Sequence, residues 1–181
     1  MPRVYPRPPS GKRLFALVAG AVALAAAGCG GSKTASASRE LSARGARFSV
    51  PGAWQVTRTP TTVAAAPSEG SDEIVSVSIF RLLRPYTPAL WGRVVPELDR
   101  AADELGRQLS ASLASKRTVT VAGGRARLYE LSFRRRGHDV RERITFVLRD
   151  QREYELLCRW RSDQAESRAC SNLVESFRPA A

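Results

Sequence analysis

What the sequence lacks narrows its chemistry first. A single histidine, His138, stands in 181 residues, which excludes most histidine-based acid–base catalysis and any histidine-rich metal site. Three cysteines, Cys29, Cys158 and Cys170, are too few for a disulfide-dense scaffold or a zinc cluster. Lysine is almost missing: Lys12, Lys33 and Lys116 are the only three among 29 basic residues, so arginine supplies nearly all the positive charge. There is no Gly-x-Ser-x-Gly elbow, no glycine-rich phosphate loop and no His-Glu-x-x-His, the usual marks of a serine hydrolase, a nucleotide binder and a metalloprotease. With 43% hydrophobic and 25% charged residues, the composition is neither that of a disordered chain nor that of a polytopic membrane protein. The length suits one domain, at roughly 150 residues each.

What is present begins with a leader. Arg3, Arg7, Lys12 and Arg13 precede an uninterrupted apolar run from Leu14 to Ala27, with no acidic residue among them. A basic segment followed by a run of about 14 apolar residues has the form of a secretory signal, and it is shorter than the roughly 20 residues a membrane-spanning helix needs. The run ends Ala26-Ala27-Gly28-Cys29, which resembles a bacterial lipobox, with Ala26 where leucine is usual. Two processings stay open: lipidation at Cys29 with residues 1–28 removed, or ordinary cleavage after Ala27, which would release a soluble protein with an odd thiol. Lipidation supplies the two or more acyl chains that stable anchoring requires. Residues 30–45 are rich in Gly, Ser and Ala, so 29–45 is expected to be a lipidated cysteine and flexible tether holding the domain about 20 Å from a bilayer. The domain proper is expected over 46–181. Removing the leader leaves 25 basic residues against 17 acidic.

Within the domain, Arg47–Val50 and Trp54–Arg58 alternate around a Pro51-Gly52 turn, and Thr59–Asp72 reads as a loop. Glu73–Leu82 alternates strictly and is a strand. Pro96 is expected in the first turn of a helix carrying Leu98, Ala102, Leu105, Leu109 and Leu113 on one stripe. Four strands follow, Arg117–Ala122, Arg125–Arg135, Val140–Leu148 and Glu153–Trp160, with turns at Gly123-Gly124, Gly137-His138-Asp139 and Asp150-Gln151. They read as an antiparallel meander with one buried face and one wet, charged face. Asp163–Phe177 is a second amphipathic helix ended by Pro179. The fold class is α+β, an antiparallel sheet covered by two amphipathic helices.

Cys158 falls on the inward phase of the last strand and Cys170 on the apolar stripe of the last helix, so both point at one interface. In an exported protein they are expected to form a disulfide, worth roughly 3 kcal/mol by loop entropy. Pairing leaves Cys29 as the odd cysteine, which favours its lipidation.

The hairpin Phe48-Ser-Val-Pro-Gly-x-Trp54, an exposed loop, a strand, a helix, a four-stranded meander and a closing helix ending Ser176-Phe177-Arg178 resemble the PsbP-like superfamily. That α/β/α sandwich also occurs in actinobacterial lipoproteins of the LpqN type. The resemblance implies a non-enzymatic binding or assembly domain and brings no catalytic residues.

An extracytoplasmic lipoprotein on the cell membrane is therefore expected, binding an envelope protein, or contacting anionic lipid or wall polymer through Arg134, Arg135, Arg136, Arg141, Arg143, Arg159 and Arg161. Nucleic acid is disfavoured by export and by Glu130, Glu142, Glu153 and Glu155, which interrupt the basic field. No catalytic residue, metal or cofactor is assigned. A hydrolase built on paired carboxyls is the remaining enzyme reading, but the neighbours Asp72-Glu73 and Asp103-Glu104 point apart on their elements. An apolar patch on the 59–71 or 83–96 segments would mark a partner site, and Trp91 is expected to cap the core beneath the helix start.

Overall fold

A computed structural model describes residues 37–180. The expected leader, Cys29 and the first part of the tether lie outside the described residues.

The chain forms β1 (Ser38–Ala43), β2 (Ala46–Pro51), β3 (Gln55–Arg58), β4 (Thr62–Ala66), β5 (Ile74–Tyr86), a 3-10 turn, α1 (Trp91–Leu109), β6 (Ser112–Val121), β7 (Gly124–Arg135), β8 (His138–Arg161) and α2 (Arg168–Ser176). Residues 38–45, read above as tether, are instead a strand and its turn. Leu41 and Ala43 are buried, and β1 pairs antiparallel with β2 through a turn in which Arg44 and Gly45 both take positive φ, 45° and 88°. Two consecutive positive φ angles match the twist of a tight hairpin. β2 and β3 flank the Pro51-Gly52 turn as expected, yet they enter different sheets. Thr62–Ala66, read as loop, is β4; its small residues give little strand signal, but Val63 and Ala65 are buried beside β5.

The large sheet runs β3-β4-β5-β8-β7-β6, every neighbouring pair antiparallel. A straight strand of β8's length would extend about 80 Å. β8 instead doubles back: the Ser162 amide donates to the Asp139 carbonyl at 2.9 Å, Arg159 meets Glu142 at 2.6 Å, and Asp150 has φ 50°. Its first arm pairs with β7 and its second with β5, which is the expected meander with its turn at Asp150-Gln151.

The doubling corrects the reading of the faces. Across a two-residue turn, even positions on one arm oppose odd positions on the other, so the apolar residues of the two arms face opposite ways. Ile144, Phe146 and Leu148 join Tyr129, Leu131, Leu98 and Ala102 in one core under α1. Tyr154, Leu156, Cys158 and Trp160 join Val75, Val77, Phe48, Leu173 and Phe177 in a second core under α2 and the β1–β2 hairpin. Both faces are covered, and the expected wet face does not exist. The two helices therefore take opposite sides of a mixed α+β sandwich.

α1 begins earlier than expected, with buried Trp91 at its first position, and Pro96 lies in its interior. Lacking an N–H, Pro96 cannot donate to the carbonyl of Gly92 four residues before it, and Gly92 is exposed, so water can reach that carbonyl. Ser110 in the left-handed region (φ 52°) ends the helix, and Leu113 belongs to β6.

Candidate functional site

The cysteine pair forms as expected. Cys158 and Cys170 are disulfide-bonded with Cα atoms 5.5 Å apart, tying the second arm of β8 to α2.

α1 is clamped to the sheet by an ionic cluster. Arg127 donates twice to Asp99, 3.0 Å to each oxygen, and the Tyr129 hydroxyl donates at 2.7 Å. Burial opposes ionisation of Asp99, but hydrogen bonds from Arg127 and Tyr129 outweigh it and hold the carboxyl below the usual carboxylate range. Burial, then the bond to Asp99, pushes the Tyr129 phenol upward. The cluster is satisfied internally and presents nothing to a substrate.

The seven arginines expected to meet an anionic surface are divided between the two faces. Arg141 and Arg143 share the phase of Val147, whereas Arg159 and Arg161 share that of Leu157. Most answer carboxylates of the fold. Arg135 meets Asp72 at 3.1 Å, Arg161 meets Asp163 at 2.6 Å, and Arg159 meets Glu142, which is 3% exposed. Arg143 bridges Glu130 and Glu166 with its guanidinium 5.6 Å from the centre of the Trp160 ring. Burial opposes its charge, but the bonds to Glu166 and Glu130 prevail and raise its proton affinity. Arg136 and Arg134 donate to the Gly70 and Gly137 carbonyls, and Arg141 is exposed. Acidic residues thus neutralise four of the seven arginines at this end of the sheet.

His138 is exposed at the start of β8. Asp103 pairs with Lys116 at 2.7 Å and Glu104 with Arg107, so the neighbouring carboxylates do point apart. Among the described residues no group of three or more His, Cys, Asp or Glu could hold a metal. Trp91 is buried at the start of α1, with the Arg125 guanidinium 5.7 Å from the centre of its ring.

The opposite end of the sheet carries what sequence reasoning missed. A cavity of about 320 Å³ opens there, with an apolar floor of Val121, Val147 and Leu148, and with Tyr86, Arg125 and Arg149 among its walls. Its volume reaches the lower bound usual for small-ligand sites, about 300 Å³. β5 loses register between Arg81 and Tyr86, and the residues between include Leu83, wholly exposed. Arg81 stands directly opposite Arg152, and Arg149 and Arg152 flank the Asp150-Gln151 turn. No carboxylate answers Arg81, Arg84, Arg149 or Arg152 among the described residues. The only signal in the sequence is Arg81-Leu-Leu-Arg84 before Pro85; the cross-strand pairing that assembles the arginines is long-range. Chemically, this end offers arginine forks beside apolar surface, suited to holding an anion rather than moving a proton.

The two ends are distinguished by where the chain arrives. Ala37 lies at the neutralised end, its carbonyl accepting from the Gly52 amide at 2.6 Å, and Gly52 leads into β3 beside the Arg135–Asp72 segment. The Arg44-Gly45 tip of the hairpin lies at the cavity end: Gly45 approaches Ala180, whose neighbour Pro179 lines the cavity.

Compared by sequence, the chain matches no family model and no curated protein. Compared by structure, it is similar to the cyanobacterial PsbP protein (CyanoP) of Synechocystis sp. PCC 6803, with TM-score 0.52 and 14% identity over 76% of this chain and 87% of that one. It is also similar to a protein of Bacteroides thetaiotaomicron, with TM-score 0.50 and 12% identity over 76% of this chain, and spans 46% of that protein's length. At these identities the likeness shows the fold alone, and the fold is PsbP-like.

Proposed function

On this PsbP-like scaffold, we propose an extracytoplasmic lipoprotein, anchored to the cell membrane through Cys29 and using its domain as a non-enzymatic binding or assembly module. The observation that carries the reading is the cysteine inventory. Cys158 and Cys170 are bonded to each other, which suits an oxidising compartment. Cys29 is left over, directly after Ala26-Ala27-Gly28 and a basic, apolar leader. Because β1 begins at Ser38, only residues 30–37 separate the anchor from the domain, a span of at most about 28 Å in any conformation. The domain therefore works close to the bilayer.

The binding role draws on the uncommitted end of the sheet, where a cavity walled by Arg149 adjoins the opposed Arg81 and Arg152. Two experiments test it. Radiolabelled palmitate is expected on the wild-type protein and not on Cys29→Ala; equal labelling of both, or of neither, refutes the anchor. Crosslinking in whole cells from a photoreactive group at Leu83 is expected to capture an envelope component, and capture at Arg136 instead would place the binding surface at the other end.

A further inference from the structure

The uncommitted end is set apart by two arginines held directly opposite each other in strand register. Arg127, Arg135, Arg143, Arg159 and Arg161 each answer a carboxylate. Arg81 and Arg152 instead oppose each other directly across two strands, an arrangement that destabilises a sheet. Arg149, across the β8 turn from Arg152, extends the row. Asp150 is the carboxylate within that turn, and Glu153, next in the chain to Arg152, alternates to the face shared with Phe80. Neighbouring strands lie about 4.8 Å apart, so the three side chains rise from adjacent positions as a short comb. Each fork suits a phosphate or carboxylate group held by two hydrogen bonds.

Position selects the source of the anions. β1 carries the chain from Ser38, at the neutralised end, to Ala43 beside the hairpin tip, about 17 Å along the sheet. With Cys29 nine residues before Ser38, an anchor there would tether the domain from its neutralised end and leave the arginine comb on the far side.

We propose that Arg81, Arg149 and Arg152 form a docking surface for an anionic envelope polymer, one with repeated phosphate or carboxylate groups. The orientation rests on the Cys29 anchor; the comb does not. Bound anions would relieve the repulsion between Arg81 and Arg152.

The test uses the full-length lipoprotein in detergent, with lipid-free polyglycerol phosphate as one probe and phosphatidylglycerol vesicles as the other. Wild type is expected to bind the polymer, more weakly as salt rises from about 0.1 M to about 0.5 M. The Arg81→Ala/Arg149→Ala/Arg152→Ala variant is expected to bind about tenfold more weakly or worse, with an unfolding midpoint equal to or above wild type because the like-charge contact is gone. Arg134→Ala/Arg136→Ala is expected to bind as wild type. The proposal is overturned if the triple variant binds normally, if the double variant loses binding, or if vesicles bind and the polymer does not. Palmitate incorporation is read on the same preparation. Polymer binding without acylation removes the anchor and keeps the docking surface, whereas acylation without polymer binding removes the docking surface alone.

Discussion

Replacing Asp99 by alanine removes the single acceptor shared by Arg127 and Tyr129. The carboxylate receives three hydrogen bonds, at 3.0, 3.0 and 2.7 Å, and the Arg127 and Asp99 side chains are 13% and 27% exposed. A hydrogen bond to a charged group contributes about 1.5–3 kcal/mol, and breaking a largely buried pair costs about 3–5 kcal/mol because its partner is left desolvated. Some solvent reaches this cluster, so Asp99→Ala is expected to destabilise the domain by about 3 kcal/mol. Tyr129→Phe removes one bond and leaves the ion pair, for about 1 kcal/mol. The pH dependence has a definite sign. The folded Asp99 carboxyl lies below its ordinary value of 3.8, so its stabilisation is complete above that value and is lost as pH falls through the folded pKa. The gap between wild type and Asp99→Asn should therefore narrow from about pH 4 downward. Urea unfolding followed by tryptophan fluorescence measures all three quantities. An Asp99→Ala cost below about 1 kcal/mol, or one no larger than that of Tyr129→Phe, contradicts the account of how α1 is held.

Three further outcomes follow from the packing. Cys158→Ser/Cys170→Ser is expected to lose about 3 kcal/mol in chemical denaturation, and wild type should lose a similar amount in reductant. Leu41→Ala, in a segment whose composition reads as linker, should cost about 2–3 kcal/mol because the side chain is 5% exposed within the α2-side core; a negligible change would return residues 38–45 to the tether. At Gly52 an added Cβ would stand 2.5 Å from the Ala37 carbonyl oxygen, so Gly52→Ala should lower the thermal midpoint and raise hydrogen exchange in β1, while Gly123→Ala should leave β1 exchange unchanged.

The elements that could be read from the sequence were those whose apolar spacing is local and dense. Leu98, Ala102 and Leu105 mark α1, the alternation from Ile74 onward marks β5, and the phases of Cys158 and Cys170 placed both at one interface. β1 and β4 escaped because each carries a single larger apolar residue, Leu41 among Ser, Arg, Glu and Ala in β1 and Val63 among Thr and Ala in β4. Their burial comes from partners far along the chain or in another layer. The face assignment failed for a different reason: Ile144 and Tyr154 have the same parity in sequence, but the β8 turn lies between them and inverts the phase. The candidate site suffered most. Four of the arginines that cluster in the sequence, Arg135, Arg143, Arg159 and Arg161, are answered in space by Asp72, Glu166, Glu142 and Asp163, while Arg81, Arg149 and Arg152 come from β5 and the two arms of β8 and are brought together only by strand register.

The account as a whole depends on where the mature chain begins. Mass spectrometry of the N-terminal peptide from protein extracted from membranes tests this most directly. The account predicts a chain starting at Cys29 that carries a thioether-linked diacylglycerol, with Cys158 and Cys170 recovered as one disulfide-linked peptide pair. An unmodified N-terminus at Gly28, or a retained leader, would contradict it.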